Sequence, residues 1–588
     1  MGTVAVTDNP LDPAPDYASE VECYLESRGL KPHRDDAGIS KAYETPGAIG
    51  WHIELPIASG VRDVDLVLPR NFPYTGPRVG VANLKGDETP LAHVEAQKFL
   101  CLNGDGREHE IVSVDKQLES VLERGAALLS EPPETLREQR KREFISYWGI
   151  HAEGRPIYSI IGESTPYGVV TVWRGKAYSL VAASDEDASS WLARRYASKV
   201  AQTFDRGVYV PADGIDDQLS QSLGIVALAE RYPDAAKELL AAAAEDRDLT
   251  VAVFRLPGEF ALVGGRILRP ASNTMVRTTR HKGFRKGHVP PMIASDRYFP
   301  TSRFERARLH RADAPWILAR GGEKFDKRLQ DAKVCIVGAG ALGSGVARML
   351  VKAGVGHLLI IDPDVLDFNN IARHDLGADH VGEAKATALT TMLMQQYPNV
   401  EVVGEARKWQ DALRKNKTIF DVDVVISTTA SWPDEAQLNA VLREKDVPAV
   451  FGWLEAHAAS AQVLTVFPGD ACMACAFNAS GEFLHPATMW KTQQLKGEPA
   501  CGNFYAPFTD LAATRGRCLI AEQALAVLAG KIDASHVTTE IFDESLWKEN
   551  DGDVTDDFVQ RLGREPSTTG DRCTTRLSKH ANCGWCAA

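Results

Sequence analysis

The chain has 588 residues, 44 % of them hydrophobic, enough for several cores. Its 66 Lys and Arg against 79 Asp and Glu give a formal charge of −13, which argues against direct nucleic-acid binding by a basic surface. No run of roughly 18 apolar residues occurs, so no membrane span is expected. Residues 1–14 lack the basic start and apolar stretch of a signal peptide and are expected to form a flexible leader of a cytoplasmic protein. Residues 15–140 form the first domain. YASEVECYLESRGL has helical spacing, with Val21, Tyr24 and Leu25 on one face. WHIELPI and VRDVDLVLP alternate like strands, Pro-rich turns follow, and VDKQLESVLERGAALL reads as a closing amphipathic helix.

The charged stretch EPPETLREQRKREF leads into a linker domain at residues 141–300, read as α+β. IYSIIGE, GVVTVWRG and AYSLVAA predict strands, and DEDASSWLARRYASKVAQ a helix whose acidic start suits the helix dipole. The basic run Arg277–His288 reads as a solvated loop, or alternatively as a docking strip for an acidic partner. The third domain, residues 301–588, opens with a βαβ unit: VCIVGAG, then the helix ALGSGVARMLVKAG, then HLLIIDPD.

Gly338, Gly340 and Gly343 form G-x-G-x-x-G at the junction of strand and helix. The first glycine permits a tight turn, the second a close approach of phosphate, and the third close helix–strand packing. The helix N-terminus then offers N–H groups to an anion. Asp362, with Asp364 two residues on, ends the next strand at the spacing of a carboxylate that bonds a ribose hydroxyl. A dinucleotide and ATP both fit so far. Asn370, Arg373 and Lys385 favour ATP, because an amide and two cations suit a triphosphate losing pyrophosphate.

GAGALGS, IIDPD, NNIARH and VGEAKA, in that order between Asp331 and Leu528, resemble the motifs of the ubiquitin-activating superfamily, which includes the activators of the thiamine and molybdopterin sulfur carriers. The resemblance implies a Rossmann-like ThiF/MoeB-type adenylation domain. Asp362 would hold the ribose, and Asn370, Arg373 and Lys385 the phosphates. It also implies a homodimer in which an upstream arginine reaches the partner's ATP; Arg308, Arg311 and Arg320 are the candidates. ATP chemistry brings an expectation of Mg2+. The superfamily's metal-binding aspartate after the fourth strand is Ala430 here, in DVVISTTASWPDEAQLN, with Asp434 one helical turn on.

Of the ten cysteines, Cys472 and Cys475 in CMAC and Cys583 and Cys586 in CGWC have the spacing of a four-thiolate Zn2+ site, with Cys573 as a spare candidate. Cys501 follows a polar loop and precedes TDLAATRGRCLIAEQALAVLAG, where a thiolate can reach a mobile adenylate; it is the expected activating cysteine. Cys518, inside that helix, and Cys335, inside the first strand, are expected to be buried.

In the first domain, Trp51 and Leu55, then Leu68-Pro69, Phe72-Pro73 and Pro77, then His93 ahead of the leucine-flanked Cys101 resemble ubiquitin-conjugating enzymes. The resemblance makes Cys101 an acyl-accepting nucleophile. Where that family has His-Pro-Asn, this chain has His93-Val94-Glu95, and ionised Glu95 cannot donate to an oxyanion, so the donors are expected elsewhere, such as backbone N–H groups. A conjugating-like domain ahead of an activating one resembles the CD-NTase-associated protein 2 family of bacterial anti-phage (CBASS) systems. That resemblance implies a cGAS-like nucleotidyltransferase as carboxylate donor and a target-protein amine as acceptor. Two rivals are a sulfur-carrier activator whose first domain only binds partners, and an NAD-dependent oxidoreductase that uses only the glycines and Asp362.

Overall fold

The computed structural model describes residues 17–81, 93–95, 97–102, 113–142, 144–150, 152–197, 203–212, 222–245, 247–256, 260–269, 282–285, 288–319, 326–478, 481–491, 496–497, 504–505, 507–543, 545–549, 551–567, 570–580, 583 and 585–586. Cys501, Arg320 and most of Arg277–His288 lie outside them. Among the described residues no helix is long and apolar enough to cross a membrane.

The first unit is a four-stranded antiparallel meander: His33–Arg34, Ile49–Ile57, Gly60–Leu68 and Arg78–Gly80. Alternation buries Trp51, Ile53 and Leu55 on one face, because successive side chains of a strand point to opposite sides. The helices Tyr17–Ser27 and Val114–Leu129 cover that face with Val21, Leu25, Leu118 and Leu122.

The middle unit is a closed seven-stranded barrel, an architecture the strand-by-strand reading did not reveal. Around it run Leu262–Leu268, Arg303–Arg311, Gly154–Ser159, Ser179–Ala182, Gly168–Arg174, Phe204–Pro211 and Leu249–Arg255, which pairs back to the first. Ile157, Val170, Val172, Val181, Tyr209 and Val253 fill it. The closing strand, Arg303–Arg311, lies beyond the boundary drawn at residue 300. Closure needs both of its edges, antiparallel to Leu262–Leu268 and parallel to Gly154–Ser159. The indole N–H of Trp148 joins two neighbouring strands, donating to the carbonyls of Gly264 (2.9 Å) and Ala307 (3.1 Å).

The third unit carries an eight-stranded sheet in the order Glu401–Glu405, His357–Ile361, Lys333–Val337, Val424–Ser427, Ala449–Leu454, Ser460–Val466, His536–Ile541 and Arg572–Arg576. The first five strands are parallel and the rest antiparallel. The strand that leads into the glycines therefore sits where the chain order reverses, between His357–Ile361 and Val424–Ser427. In open α/β sheets the ligand crevice lies at the carboxyl end of that position.

Candidate nucleotide site, cysteine cluster and Cys101 hairpin

The glycine loop leaves Lys333–Val337 with Gly338 at φ +93°, a left-handed conformation that favours glycine. A Cβ at Gly343 would overlap the Gly338 carbonyl, whereas a Cβ at Gly340 would meet nothing within 4 Å. One glycine thus packs the helix Ala341–Ala353 onto the loop, and another leaves a face open to an approaching phosphate. That open face fits a nucleotide.

Asp362, 5 % exposed, accepts from the backbone N–H groups of Ala339 (2.6 Å) and Asp364 (2.7 Å). Burial pushes its carboxyl up from the usual carboxylate range, against the pull of those two N–H donors. Each oxygen keeps a second lone pair, so the carboxylate braces the loop and can still accept from a ribose hydroxyl. Lys385, buried at the start of the helix Lys385–Gln396, bonds Asp364 at 3.0 Å. Asn370 caps its own turn, its side-chain oxygen accepting from Asp367 N–H (3.0 Å) and its carbonyl from Arg373 N–H (2.9 Å). The Arg373 guanidinium lies 4.6 Å from the Phe508 ring centroid.

Two residues without an assigned role in the sequence reading knit this shell together. His374 donates from Nε2 to the Ala339 carbonyl (2.6 Å) and accepts the Leu376 N–H at Nδ1 (3.0 Å), which fixes a neutral tautomer. Burial pulls its pKa down. Arg517, 5 % exposed, bonds the Ala341 carbonyl (2.7 Å), the Arg373 carbonyl (2.5 Å) and Asp510 (2.7 Å). It thereby ties the glycine helix, the Arg373 turn and the helix Asp510–Leu528 into one body. A sequence signal existed: Arg517 shares the helical face of Ala513, Ile520 and Ala524, a spacing that puts a cation among core positions. Cys518 is exposed, contrary to the expectation of burial, because it lies on the other side of that face. Cys335 is fully buried as expected.

After the fourth strand, Ala430 adopts φ +52°. Asp434 accepts from Gln410 (2.9 Å) and Ser431 (3.0 Å), and Glu435, 4 % exposed, accepts from Ser427 (2.9 Å) and Thr429 (3.1 Å). Burial pushes the Glu435 carboxyl up despite those donors. Both carboxylates of this segment thus bond within the protein, and the alanine side chain at position 430 itself offers no ligand atom to a magnesium ion. Of the upstream arginines, Arg311 pairs with Asp313 and donates to the Phe260 carbonyl (2.7 Å), while Arg308 donates to the Gly149 carbonyl (3.2 Å).

The Sγ atoms of Cys472, Cys475, Cys583 and Cys586 all lie within 4.8 Å of one another. Adjacent pairs are 3.4, 3.6 and 3.9 Å apart. A tetrahedral zinc site with bonds of about 2.3 Å has edges of about 3.8 Å, so this set fits the metal. Cys573 is outside the cluster, on Arg572–Arg576, where Arg561 donates to its sulfur at 3.3 Å.

Cys101 is exposed at the end of a compact hairpin. The hairpin closes through Cys101 N–H to the His93 carbonyl (2.6 Å) and Glu95 N–H to the Phe99 carbonyl (2.8 Å). His93 and Lys98 both have positive φ, +58° and +64°. Such non-glycine conformations persist only where the surroundings enforce them. Glu95 forms an ion pair with Arg78.

A ThiF family profile matches residues 314–556. The SAMP-activating enzyme E1 of Haloferax volcanii is 29 % identical over 184 residues, covering 31 % of this chain and 67 % of that protein. The molybdopterin-synthase adenylyltransferase of Escherichia coli K12 is 31 % identical over 169 residues, covering 28 % and 67 %. The ubiquitin-like modifier-activating enzyme 5 of Drosophila simulans is 29 % identical over 162 residues, covering 26 % of this chain and 40 % of that enzyme's length.

Proposed function

The chain belongs to the ThiF family through its C-terminal part, and from that premise we propose that it adenylates a partner protein's C-terminal carboxylate with ATP and relays the acyl group through two of its own cysteines to an amine. The observation that carries the first half is the bonded shell around the open Gly340 face: Asp362 and His374 on Ala339, Arg517 on Ala341 and Arg373, and Lys385 on Asp364. On this reading the open face receives phosphate, Arg373 and Lys385 supply the cations, and Asp362 accepts from the ribose.

A donor carboxylate oxygen attacks the α-phosphorus of ATP, and pyrophosphate leaves. Arg373 and Lys385 offset the charge that develops on the phosphates. The Cys501 thiolate then attacks the acyl carbon and AMP leaves. The Cys101 thiolate displaces Cys501 by thioester exchange, and a target amine finally displaces Cys101. Magnesium would arrive with the nucleotide and would offset phosphate charge there, since Ala430 supplies it no ligand. Cys472, Cys475, Cys583 and Cys586 would hold zinc as a closed structural site that pins the C-terminal segment. The donor is the C-terminus of a cGAS-like nucleotidyltransferase in anti-phage signalling, and the enzyme works as a homodimer.

ATP–pyrophosphate exchange tests the first half. Lys385→Ala and Arg373→Ala should abolish it, whereas Cys101→Ala and Cys501→Ala should leave it intact. A second reading, a sulfur-carrier activator, draws on the likeness to the molybdopterin-synthase adenylyltransferase. On that reading loss of Cys101 is harmless.

A further inference from the structure

The Cys101 hairpin is held by more than its own hydrogen bonds. Phe99, two residues before Cys101, is fully buried between two groups. Tyr43 stacks on the ring (centroids 4.7 Å, planes 23° apart), and the Arg78 guanidinium lies 4.1 Å from its centroid. Arg78 also pairs with Glu95 on the other limb of the hairpin. The segment docks on the last strand of the meander through Leu100 N–H to the Val79 carbonyl and Val81 N–H to the Lys98 carbonyl, both 2.9 Å. At that crossing a Cβ on Gly80 would overlap the Tyr43 ring, so the tyrosine closes the space behind the hairpin.

Tyr43 is held in turn. Its hydroxyl donates to one oxygen of Asp65 (2.5 Å), a carboxylate only 2 % exposed whose other oxygen meets His52 Nδ1 (2.5 Å). A buried carboxylate persists where its lone pairs are satisfied, and these two partners come from the helix-to-strand connection and from the neighbouring strand. Two left-handed residues in one short hairpin need external enforcement, and this stack supplies it.

We propose that Asp65 is a positioning residue for Cys101, acting through Tyr43 and Phe99. The proposal rests on the reading of Cys101 as the acyl acceptor. Arg78 lies over the same ring and is held by Glu95, so Glu95 has an anchoring role where the conjugating-like pattern has an oxyanion donor.

The test uses the full chain and three variants: Asp65→Ala, Asp65→Asn and Tyr43→Phe, the last keeping ring and volume if Asp65→Ala folds poorly. Residue-resolved hydrogen exchange should show the Leu100 and Cys101 amides losing protection at least tenfold in Tyr43→Phe and Asp65→Ala, while Ile53 and Val64 in the sheet stay within twofold. Asp65→Asn, which still accepts from Tyr43, should stay near wild type. Acyl transfer onto Cys101 from ATP and a cGAS-like donor should slow in the same rank order, with ATP–pyrophosphate exchange unchanged. Uniform loss of protection across the sheet, or unchanged Leu100 and Cys101 protection in both variants, would overturn the proposal. Absence of any Cys101 acylation in the wild type would instead overturn the relay, and the exchange result would still report on the clamp.

Discussion

His374 has no room for a second proton on its ring. Nε2–H is given to Ala339 and Nδ1 receives the Leu376 N–H, so the imidazolium would face a donor with a donor. Burial, which disfavours the charged ring, holds its folded-state pKa below the ordinary 6.5. The stability it contributes is present above 6.5 and is lost as pH falls through that lowered value. Melting of wild type and His374→Gln across this window should show the gap between them narrowing as pH drops; a constant gap would mean that His374 does not titrate with folding. Ala430 makes a second residue-scale prediction. Its φ of +52° is one that aspartate tolerates better than alanine. Ala430→Asp should therefore fold and should lower the magnesium concentration needed for half-maximal ATP–pyrophosphate exchange. An unchanged requirement would place the ion away from this turn.

At the level of elements, the glycine helix and the helix Asp510–Leu528 are joined by one buried cation. Arg517→Met should cost roughly 1–3 kcal/mol for each buried acceptor left unpaired. Because Ala341 and Arg373 are the acceptors, ATP–pyrophosphate exchange should fall more steeply than stability does. Equal loss in both, followed by denaturant melts and exchange assays, would reduce Arg517 to a packing role. The two C-x-x-C hairpins predict that Cys583→Ser loses bound zinc by elemental analysis and lowers the melting temperature, whereas Cys573→Ser retains the metal. These elements also mark what a sequence can disclose. The glycine loop, the strands with period two and the paired cysteines were legible because each is a local pattern. The barrel was not, since its closure depends on the parallel pairing of Arg303–Arg311 with Gly154–Ser159, far apart in the chain. The roles of His374, Arg517 and Asp65 escaped for the same reason: each acts on a partner that only the fold brings near.

The whole molecule sets a meander bearing Cys101, a closed barrel and an adenylating sheet in one chain. The barrel touches the sheet unit through Arg194, which donates to the Pro398 carbonyl (3.0 Å), and through Asn399, which donates to the Ala312 carbonyl (2.9 Å). On the proposed relay, a single polypeptide holds both the acyl-forming site and the acyl-accepting cysteine, and has no need to release the activated intermediate to a second enzyme. That is the central claim, and it is tested by incubating the full chain with ATP and a cGAS-like nucleotidyltransferase bearing an intact C-terminus, then resolving the products with and without DTT. The account predicts a DTT-sensitive adduct on wild type and none on Cys501→Ala. It further predicts that Cys101→Ala stalls with the acyl group on Cys501 and ligates nothing. Undiminished ligation by Cys101→Ala would contradict it.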